Sequence, residues 1–443
     1  MTGVSATALG PFITALVQLI SVPAFLRAWG PHLYGEWLIL SAVPTYLSMT
    51  DMGFGSVAGN DMAMRVASSD RDGALETFQS TWLLVTVLSA AAGAIACGII
   101  YTTPVQEWLR ITSVDSFETR LVLVLLSIYS LVSLQSSTLM SAFRSDGQYA
   151  LGVAGVNAMR ILENAAMLLP LLLLRARPIH VAMAAASVRT VATGALYLVL
   201  RRKLPWIRLG VARASRERIK ELTRPAIAFM AFPAGNALSI QGMTLLIGLA
   251  LGPVAVATFN PMRTLSRFAY QIIDSIKNAV WPELSAAYGS QNWPLARKLH
   301  RTCCQVAFWL SLSAVIGLAV AGPAIFRIWT HHRVVMDAPC FYVLLVVVIA
   351  SSLWNTSSAV SIAANLHERL AVQYLAGTSA SLVLAAVLMP HLQMLGAALA
   401  LLAVDVWMDC FVIRGSNSLL RDDNTDFLWS MFSFSKLRVL VAR

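Results

Sequence analysis

Long apolar runs separated by short polar stretches recur along the whole chain. A helix needs about 20 mostly apolar residues to cross the hydrocarbon core of a bilayer, and the runs have that length. The pattern therefore predicts twelve membrane-spanning helices. They cover residues 5–26, 34–58, 80–101, 121–143, 149–173, 179–200, 226–250, 254–282, 304–327, 339–363, 370–389 and 394–413.

Composition supports a membrane protein and excludes a soluble one. The 443 residues are 57% hydrophobic and 12% charged, and the mean hydropathy is +0.68. Soluble domains carry about 25% charged residues, so this chain has too few polar groups to cover a soluble globule of its size. No basic segment precedes the first apolar run, which is also too long for a cleaved signal peptide. We expect it to be the first span of an all-α polytopic membrane protein.

The formal net charge of +11 would suggest nucleic-acid binding in a soluble protein. In a membrane protein, Lys and Arg instead accumulate in cytoplasmic loops. With a cytoplasmic N-terminus, the loops on the cytoplasmic side contain about three times as many basic residues as the outer loops. We therefore expect both termini in the cytoplasm and no nucleic-acid partner.

The most basic connection, residues 201–224, carries nine basic residues against Glu217 and Glu221. Such a segment is expected to lie on anionic lipids of the inner leaflet. It divides the chain into an N-terminal six-helix lobe at 1–200, a linker at 201–225 and a C-terminal six-helix lobe at 226–415. Residues 416–443 mix aromatic and basic residues, which is typical of a cytoplasmic interfacial helix.

The two halves share landmarks at a nearly constant spacing. We call the separation between Gly30 and Gly252 along the chain the repeat offset. Six helices per half give both halves the same orientation, so the pattern predicts two parallel repeats around a central cavity, as in many transporters. The other matched positions are Pro11 and Pro233, Pro31 and Pro253, and Ala74 and Ala296 at the same offset, Gln18 and Gln241, and Asp51 and Asp274 at a slightly longer one, and Arg189 and Asp405 at a slightly shorter one.

The eighth predicted span carries an unusual polar stripe. A lipid-facing charge at mid-membrane costs about 2.5–3.5 kcal/mol on insertion scales, so two arginines on one helix indicate a face toward an aqueous space. The stripe follows helical spacing and contains Asn260, Arg263, Arg267, Gln271, Asp274 and Asn278. Guanidinium groups bind phosphate and carboxylate oxygens in bidentate fashion, which favours an anionic substrate.

Other predicted spans contribute polar residues to the same space. Candidate substrate-binding residues are Arg263, Arg267, Arg160, Arg189, Gln271 and Gln18, and candidates for ion coupling or charge balance are Asp51, Glu163, Asp274 and Asp405. An alternative interpretation is that Arg160–Glu163, Asp274–Lys277 and Arg189–Asp405 are structural ion pairs. Asp405 and Asp409 form only a weak pattern for a cation, and we expect no metal and no cofactor.

One segment resembles a known family. Residues 29–56 contain the Gly-x-x-x-Tyr-Gly-x-Trp…Asp-x-Gly-x-Gly pattern of bacterial polysaccharide transporters, the O-antigen flippase group of the multidrug/oligosaccharidyl-lipid/polysaccharide exporter superfamily. The matching residues are Gly30, Tyr34, Gly35, Trp37, Asp51, Gly53 and Gly55.

The resemblance implies a flippase that works by alternating access in the bacterial inner membrane. Its cargo would be an undecaprenyl-pyrophosphate-linked oligosaccharide repeat unit, moved from the cytoplasmic to the periplasmic leaflet for O-antigen, capsule or exopolysaccharide synthesis. A polysaccharide polymerase is a candidate partner, and no enzymatic turnover is expected. Two alternatives stay open. One is a multidrug antiporter of the same superfamily, whose cavity should be dominated by acidic residues. The other is a membrane glycan polymerase or acyltransferase, although the longest outer loop is short for such an enzyme.

Overall fold

The computed structural model describes the backbone of residues 3–51, 53–364 and 366–432. Inside these ranges it does not describe the side chains of residues 3–9, 11, 50, 51, 224, 225, 227–229, 269, 271, 272, 274–276, 278, 279 and 367.

The described chain is built from helices, and it contains no strand within those ranges. The order is α1 (Gly3–Thr45), a 3-10 helix (Tyr46–Asp51), α2 (Phe54–Ala67), α3 (Arg71–Thr102), α4 (Val105–Trp108), α5 (Ser116–Ser145), α6 (Tyr149–Leu174), α7 (Pro178–Lys203), α8 (Arg216–Ala237), a π-helical turn (Leu238–Gly242), α9 (Met243–Leu251), α10 (Pro253–Gly289), α11 (Trp293–Trp329), α12 (Ala338–Ala363), α13 (His367–Leu419) and α14 (Asn424–Phe432). The all-α prediction is confirmed.

The twelve predicted spans fall on these helices. Nine stretches of the described chain are long and apolar enough to cross a membrane. The stretches Phe12–Ala67 and Glu368–Leu419 each contain two predicted spans, because α1 breaks at Gly30 and α13 breaks at Gln393. The remaining predicted span lies on α10, whose polar stripe makes it less hydrophobic.

Several boundaries differ from the hydropathy prediction. The second predicted span, 34–58, is not one helix: α1 ends at Thr45, and Gly53 adopts a left-handed conformation before α2. Helices α3 and α11 begin about two and a half and three turns, respectively, before the predicted spans. Hydropathy marks where the lipid-facing surface ends, whereas a capped helix continues into water with polar residues.

The repeat prediction is supported by backbone conformation. Gly30 has φ 73° and ψ 176°, and its counterpart at the repeat offset, Gly252, has φ 89° and ψ 174°. This region of backbone space is essentially restricted to glycine. Each glycine precedes a proline that begins or resumes a helix, so the same break between first and second span occurs in both halves.

Turns and helix caps repeat at the same spacing. Asp70 caps α3 by accepting a bond from the Gly73 amide at 2.8 Å, and Asn292 caps α11 through the Leu295 amide at 3.3 Å. The residues before these caps, Ser69 and Gln291, both have positive φ. In the same way Asp115 caps α5 and Asp337 caps α12. These matches at the repeat offset support duplication of one six-helix unit.

The chain divides into two compact units. Unit 1 contains Met1–Ala257 and Trp329–Arg333, and unit 2 contains Thr258–Ile328 and Val334–Arg443. In unit 1, a buried apolar cluster joins α2, α3, α5, α6 and α7 around Phe78 and Phe143. In unit 2, α14 packs on α11, where Phe427 is fully buried against Cys304 and stacks on His300 at 5.1 Å.

The segment that resembles polysaccharide transporters is largely helical and packs closely within unit 1. A Cβ atom on Gly35 would lie 1.9 Å from the Pro253 carbonyl oxygen, so only glycine allows this approach. Tyr34 and Trp37 stack on Phe25 with ring centroids 5.7 and 6.0 Å apart. The residues of the pattern therefore determine how the chain after the first helix break, at Gly30, packs against the second break, at Gly252.

Candidate functional site

A buried ion pair connects three helices of unit 1. The Arg189 guanidinium on α7 lies 2.7 Å from a carboxylate oxygen of Glu163 on α6. It also donates to the other Glu163 oxygen at 2.8 Å and to the Tyr129 hydroxyl of α5 at 2.7 Å. The Tyr129 hydroxyl donates to Glu163 at 3.1 Å. The Arg189 and Glu163 side chains are only 13% and 3% exposed, so their charges compensate each other inside the protein.

This arrangement changes the interpretation of two candidates. Glu163 takes its ion-pair partner from α7 rather than from Arg160 on its own helix. Arg189 was a candidate substrate ligand, but its donors are directed at Glu163 and Tyr129. A ligand would have to displace these contacts to reach it.

Arg160 belongs to a second set of contacts in unit 1, between α1 and α6. Its guanidinium donates to the Thr14 hydroxyl at 3.0 Å. Two turns further along α1 and one turn further along α6, the Ser21 hydroxyl donates to the Asn164 side chain at 3.3 Å. Gln18 is half-buried on the same stretch of α1. Arg160 is exposed on the surface of its unit, so this stripe presents one cation beside several hydrogen-bonding groups.

In unit 2, α10 places two arginines one turn apart. Arg263 is buried, with 8% of its surface exposed, and Arg267 is half-buried. The Arg267 guanidinium lies 5.7 Å from the centre of the Tyr270 ring, which is a cation–π contact. Side chains four residues apart lie on the same side of a helix, so the two guanidinium groups share one face of α10.

Asp405 on α13 lies within electrostatic range of both arginines. It is buried, and it accepts hydrogen bonds from Ser351 and from the Trp354 indole of α12, both at 2.8 Å. These bonds fix the carboxylate position, because each of its oxygens has a donor. Asp405 therefore partly compensates the charge of Arg263 and Arg267.

Of the remaining polar residues, Lys277 has a described contact and three candidates do not. The Lys277 ammonium donates to the Asn355 side chain at 3.0 Å, within unit 2. The side chains of Asp51, Gln271 and Asp274 lie outside the described residues, so their roles stay predictions. Among the described residues no group of three or more His, Cys, Asp or Glu side chains has metal-binding geometry.

Sequence reasoning missed the uncharged partners. Tyr129 completes the unit 1 cluster, and Ser351 and Trp354 position Asp405. None of the three is among the candidates that the sequence predicts. One signal was available: Ser351 follows Tyr129 at the repeat offset. Extending the repeat spacing beyond the first spans would have paired these two positions.

The fold is shared with solved membrane transport proteins. The chain is similar to an inward-facing multidrug resistance MATE family transporter of the MOP superfamily, with a TM-score of 0.78 and 13% identity over 95% of this chain and 99% of that one. It is also similar to lipid II flippase MurJ in an inward closed conformation, with a TM-score of 0.73 and 10% identity over 96% and 89% of the two chains.

An outward-facing MATE family transporter matches with a TM-score of 0.63 and 13% identity over 93% of this chain and 95% of that one. No curated protein sequence matches the chain. A family profile described as "Polysaccharide biosynthesis protein" matches residues 1–287. The chain belongs to this polysaccharide biosynthesis protein family.

Proposed function

We propose that the protein is a flippase that moves an undecaprenyl-pyrophosphate-linked oligosaccharide from the cytoplasmic to the periplasmic leaflet of the bacterial inner membrane. Family membership connects the chain to polysaccharide biosynthesis. The fold it shares with MurJ, a lipid II flippase, supports a lipid-linked cargo. The protein would act by alternating access, without enzymatic turnover and without a cofactor, and both termini would be cytoplasmic. A polysaccharide polymerase is the expected functional partner.

The observation that carries the proposal is the pair of arginines on one face of α10. Arg263 and Arg267 are one turn apart in a helix of a membrane fold, where isolated charge is costly. A pyrophosphate offers several oxygens to two guanidinium groups, and bidentate bonds of this kind are among the strongest polar contacts. We therefore assign the pyrophosphate, or an acidic sugar, to Arg263 and Arg267.

The other candidates take supporting roles in this proposal. Arg160, with Thr14 and Gln18 beside it, is suited to hydroxyl or carboxylate groups of the glycan. Gln271 would contribute from α10. Arg189 would act indirectly, by holding Glu163 in place. Charge balance or ion coupling would use acids from the set Asp51, Glu163, Asp274 and Asp405.

The test is a paired substitution with a matched control. Arg263→Ala/Arg267→Ala should abolish surface glycan and leave the lipid-linked oligosaccharide on the cytoplasmic leaflet, while the protein remains in the membrane. Arg327→Ala/Arg414→Ala removes two exposed arginines of unit 2 and should leave export unchanged. Normal export by the first variant would refute the assignment, and the sidedness of the accumulated glycolipid separates failed flipping from failed polymerisation.

The similarity to a MATE transporter keeps a drug antiporter as the second candidate. A cationic drug would need an excess of acidic groups, whereas the described unit 2 cluster sets Arg263 and Arg267 against Asp405 and Asp409, which is no excess. Increased drug resistance on expression, with glycan export unaffected by depletion of the protein, would favour the antiporter.

A further inference from the structure

The basic connection between α7 and α8 is folded onto unit 1 rather than extended. The Gln79 side chain of α3 forms two hydrogen bonds with the backbone of this connection. Its amide group donates to the Arg208 carbonyl at 3.0 Å, and its oxygen accepts from the Arg213 amide at 2.8 Å. One neutral side chain thereby fixes both ends of the stretch from Arg208 to Arg213.

Additional contacts hold the rest of the connection. The Ser215 amide donates to the Ser80 hydroxyl at 2.9 Å, and the Trp206 indole donates to Asp146 at 3.1 Å. Leu204 and Ile207 are buried, with 4% and 0% of their surface exposed. The backbone and apolar side chains of the connection therefore belong to the folded body of unit 1.

The basic side chains of this region point the other way. Five of them are exposed and define what we call the connection surface: Arg202, Lys203, Arg208, Arg216 and Lys220. Arg213 is also exposed but is paired with Asp72. Acidic neighbours Glu217 and Glu221 are too few to balance the surface. It begins in the last turn of α7, with Arg202 and Lys203, so it lies where a predicted membrane-spanning helix leaves the bilayer.

Unit 2 shows that the chain after the last span can pack on the third span without an excess of basic residues. We call this packing docking. There too the chain after the last span folds back onto the third span: Arg297 donates to the Leu420 carbonyl at 2.9 Å, and Arg301 pairs with Asp422. Arg301 follows Gln79 at the repeat offset, so the fastening position is the same in both units. The docked segment of unit 2 is acidic, with Asp422 and Asp423. The basic residues of unit 1 therefore serve something other than docking.

We propose that the connection surface is a binding site for the headgroups of anionic phospholipids in the adjacent leaflet. Basic side chains near an anionic membrane surface attract it individually, and each contributes about fivefold to the partition constant. A folded backbone holds the five cations next to the membrane at no further ordering cost, which an extended linker could not do. The site is independent of the transported cargo.

The experiment measures thermal stability of the purified protein in detergent during titration with phosphatidylglycerol or phosphatidylcholine. We expect phosphatidylglycerol to raise the unfolding midpoint at much lower concentration. Arg208→Gln/Arg216→Gln/Lys220→Gln should raise the lipid concentration needed by about tenfold or more. Arg27→Gln/Arg110→Gln/Arg175→Gln removes three exposed arginines at the opposite ends of the helices of unit 1 and should respond as the unaltered protein does.

Gln79→Leu tests whether the folded backbone matters. It keeps every charge of the connection surface and should still weaken the phosphatidylglycerol response. An unchanged unfolding midpoint in phosphatidylcholine and an unchanged elution volume would show that this variant folds. If the folded variant responds to phosphatidylglycerol as the unaltered protein does, the folded backbone of the connection plays no part in lipid binding. Equal responses to the two lipids, equal effects of the two triple variants, or competition by millimolar inorganic phosphate would overturn the proposal as a whole.

Discussion

The ion pair between Arg189 and Glu163 provides the sharpest test of how unit 1 is stabilised. Glu163→Gln keeps the size of the side chain and removes its charge. The Arg189 guanidinium would then remain 13% exposed without a compensating anion. Its hydrogen bond to Tyr129 would persist, so the variant isolates the loss of the ionic partner.

The expected cost follows from burial. Removing one member of a buried ion pair typically destabilises a protein by about 3–5 kcal/mol, because the other charge remains desolvated. In a unit of this size that lowers the unfolding midpoint by roughly 6–20 °C. Tyr129→Phe removes a neutral bridge and should cost only about 1 kcal/mol. Replacing both charges by apolar groups of similar volume is often close to neutral, so Glu163→Leu/Arg189→Met should recover much of the loss.

The assay is a double-mutant cycle on purified protein, with the unfolding midpoint as readout and glycan export as a second readout. We expect strong coupling, at least about 2 kcal/mol between the two positions. We also expect export to survive in the Glu163→Leu/Arg189→Met protein, because Arg189 would not contact the cargo and Asp51, Asp274 and Asp405 would remain for charge balance. Additive effects would refute the structural role, and loss of export from a stable double variant would show that Arg189 or Glu163 takes a direct part in export.

Three further outcomes can be measured by thermal unfolding. Gly35→Ala should destabilise unit 1 by about 1–3 kcal/mol or more through overpacking, whereas Gly98→Ala, which meets no atom within 4 Å, should not. Asp70 has its pKa lowered, first by the Gly73 amide bond, so its stabilising contribution is present above the unfolded-state pKa and is lost as pH falls through the folded-state pKa. Asp70→Asn should remove that part of the acid sensitivity, and an unchanged pH profile would contradict the cap. Phe427→Ala should cost about 3–5 kcal/mol, since the ring is fully buried; a loss below about 1 kcal/mol, the size of a typical surface effect, would show that α14 is not a packed part of unit 2.

Most of the fold was accessible from the sequence because membrane crossing imposes a simple rule. A backbone in hydrocarbon must satisfy its own hydrogen bonds, so long apolar runs become helices with few alternatives. Helix ends were less accessible. The extension of α3 to Arg71 depends on Asp70 as a cap, and the break before α2 depends on the backbone of Gly53. Neither position is marked by hydropathy.

The candidate site was predictable as a set of charged residues but not as a set of contacts. Arg160, Arg189 and Arg263 stand out in any hydropathy profile because a charge inside an apolar span is costly. Which acid each one meets depends on helix rotation and on neighbouring helices, which spacing along one helix does not determine. Glu163 was within reach of Arg160 on α6, yet it is bonded to Arg189 on α7. Packing between α6 and α7, rather than spacing along α6, therefore determines which arginine pairs with Glu163.

The repeat offers a reason why the two units differ in charge. Arg189 and Asp405 lie on the last predicted span of their respective repeats, and each is bonded to the fourth predicted span, through Tyr129 or Ser351. One fold position thus holds a cation in unit 1 and an anion in unit 2. In unit 1 the cation is compensated by its own glutamate. In unit 2 the anion lies near two arginines, and a second carboxylate, that of Asp409, lies beside it. Inverting the sign at one duplicated position thus changes which charges each unit gathers around its last span: a glutamate beside the cation in unit 1, and the arginines of α10 near the anion in unit 2.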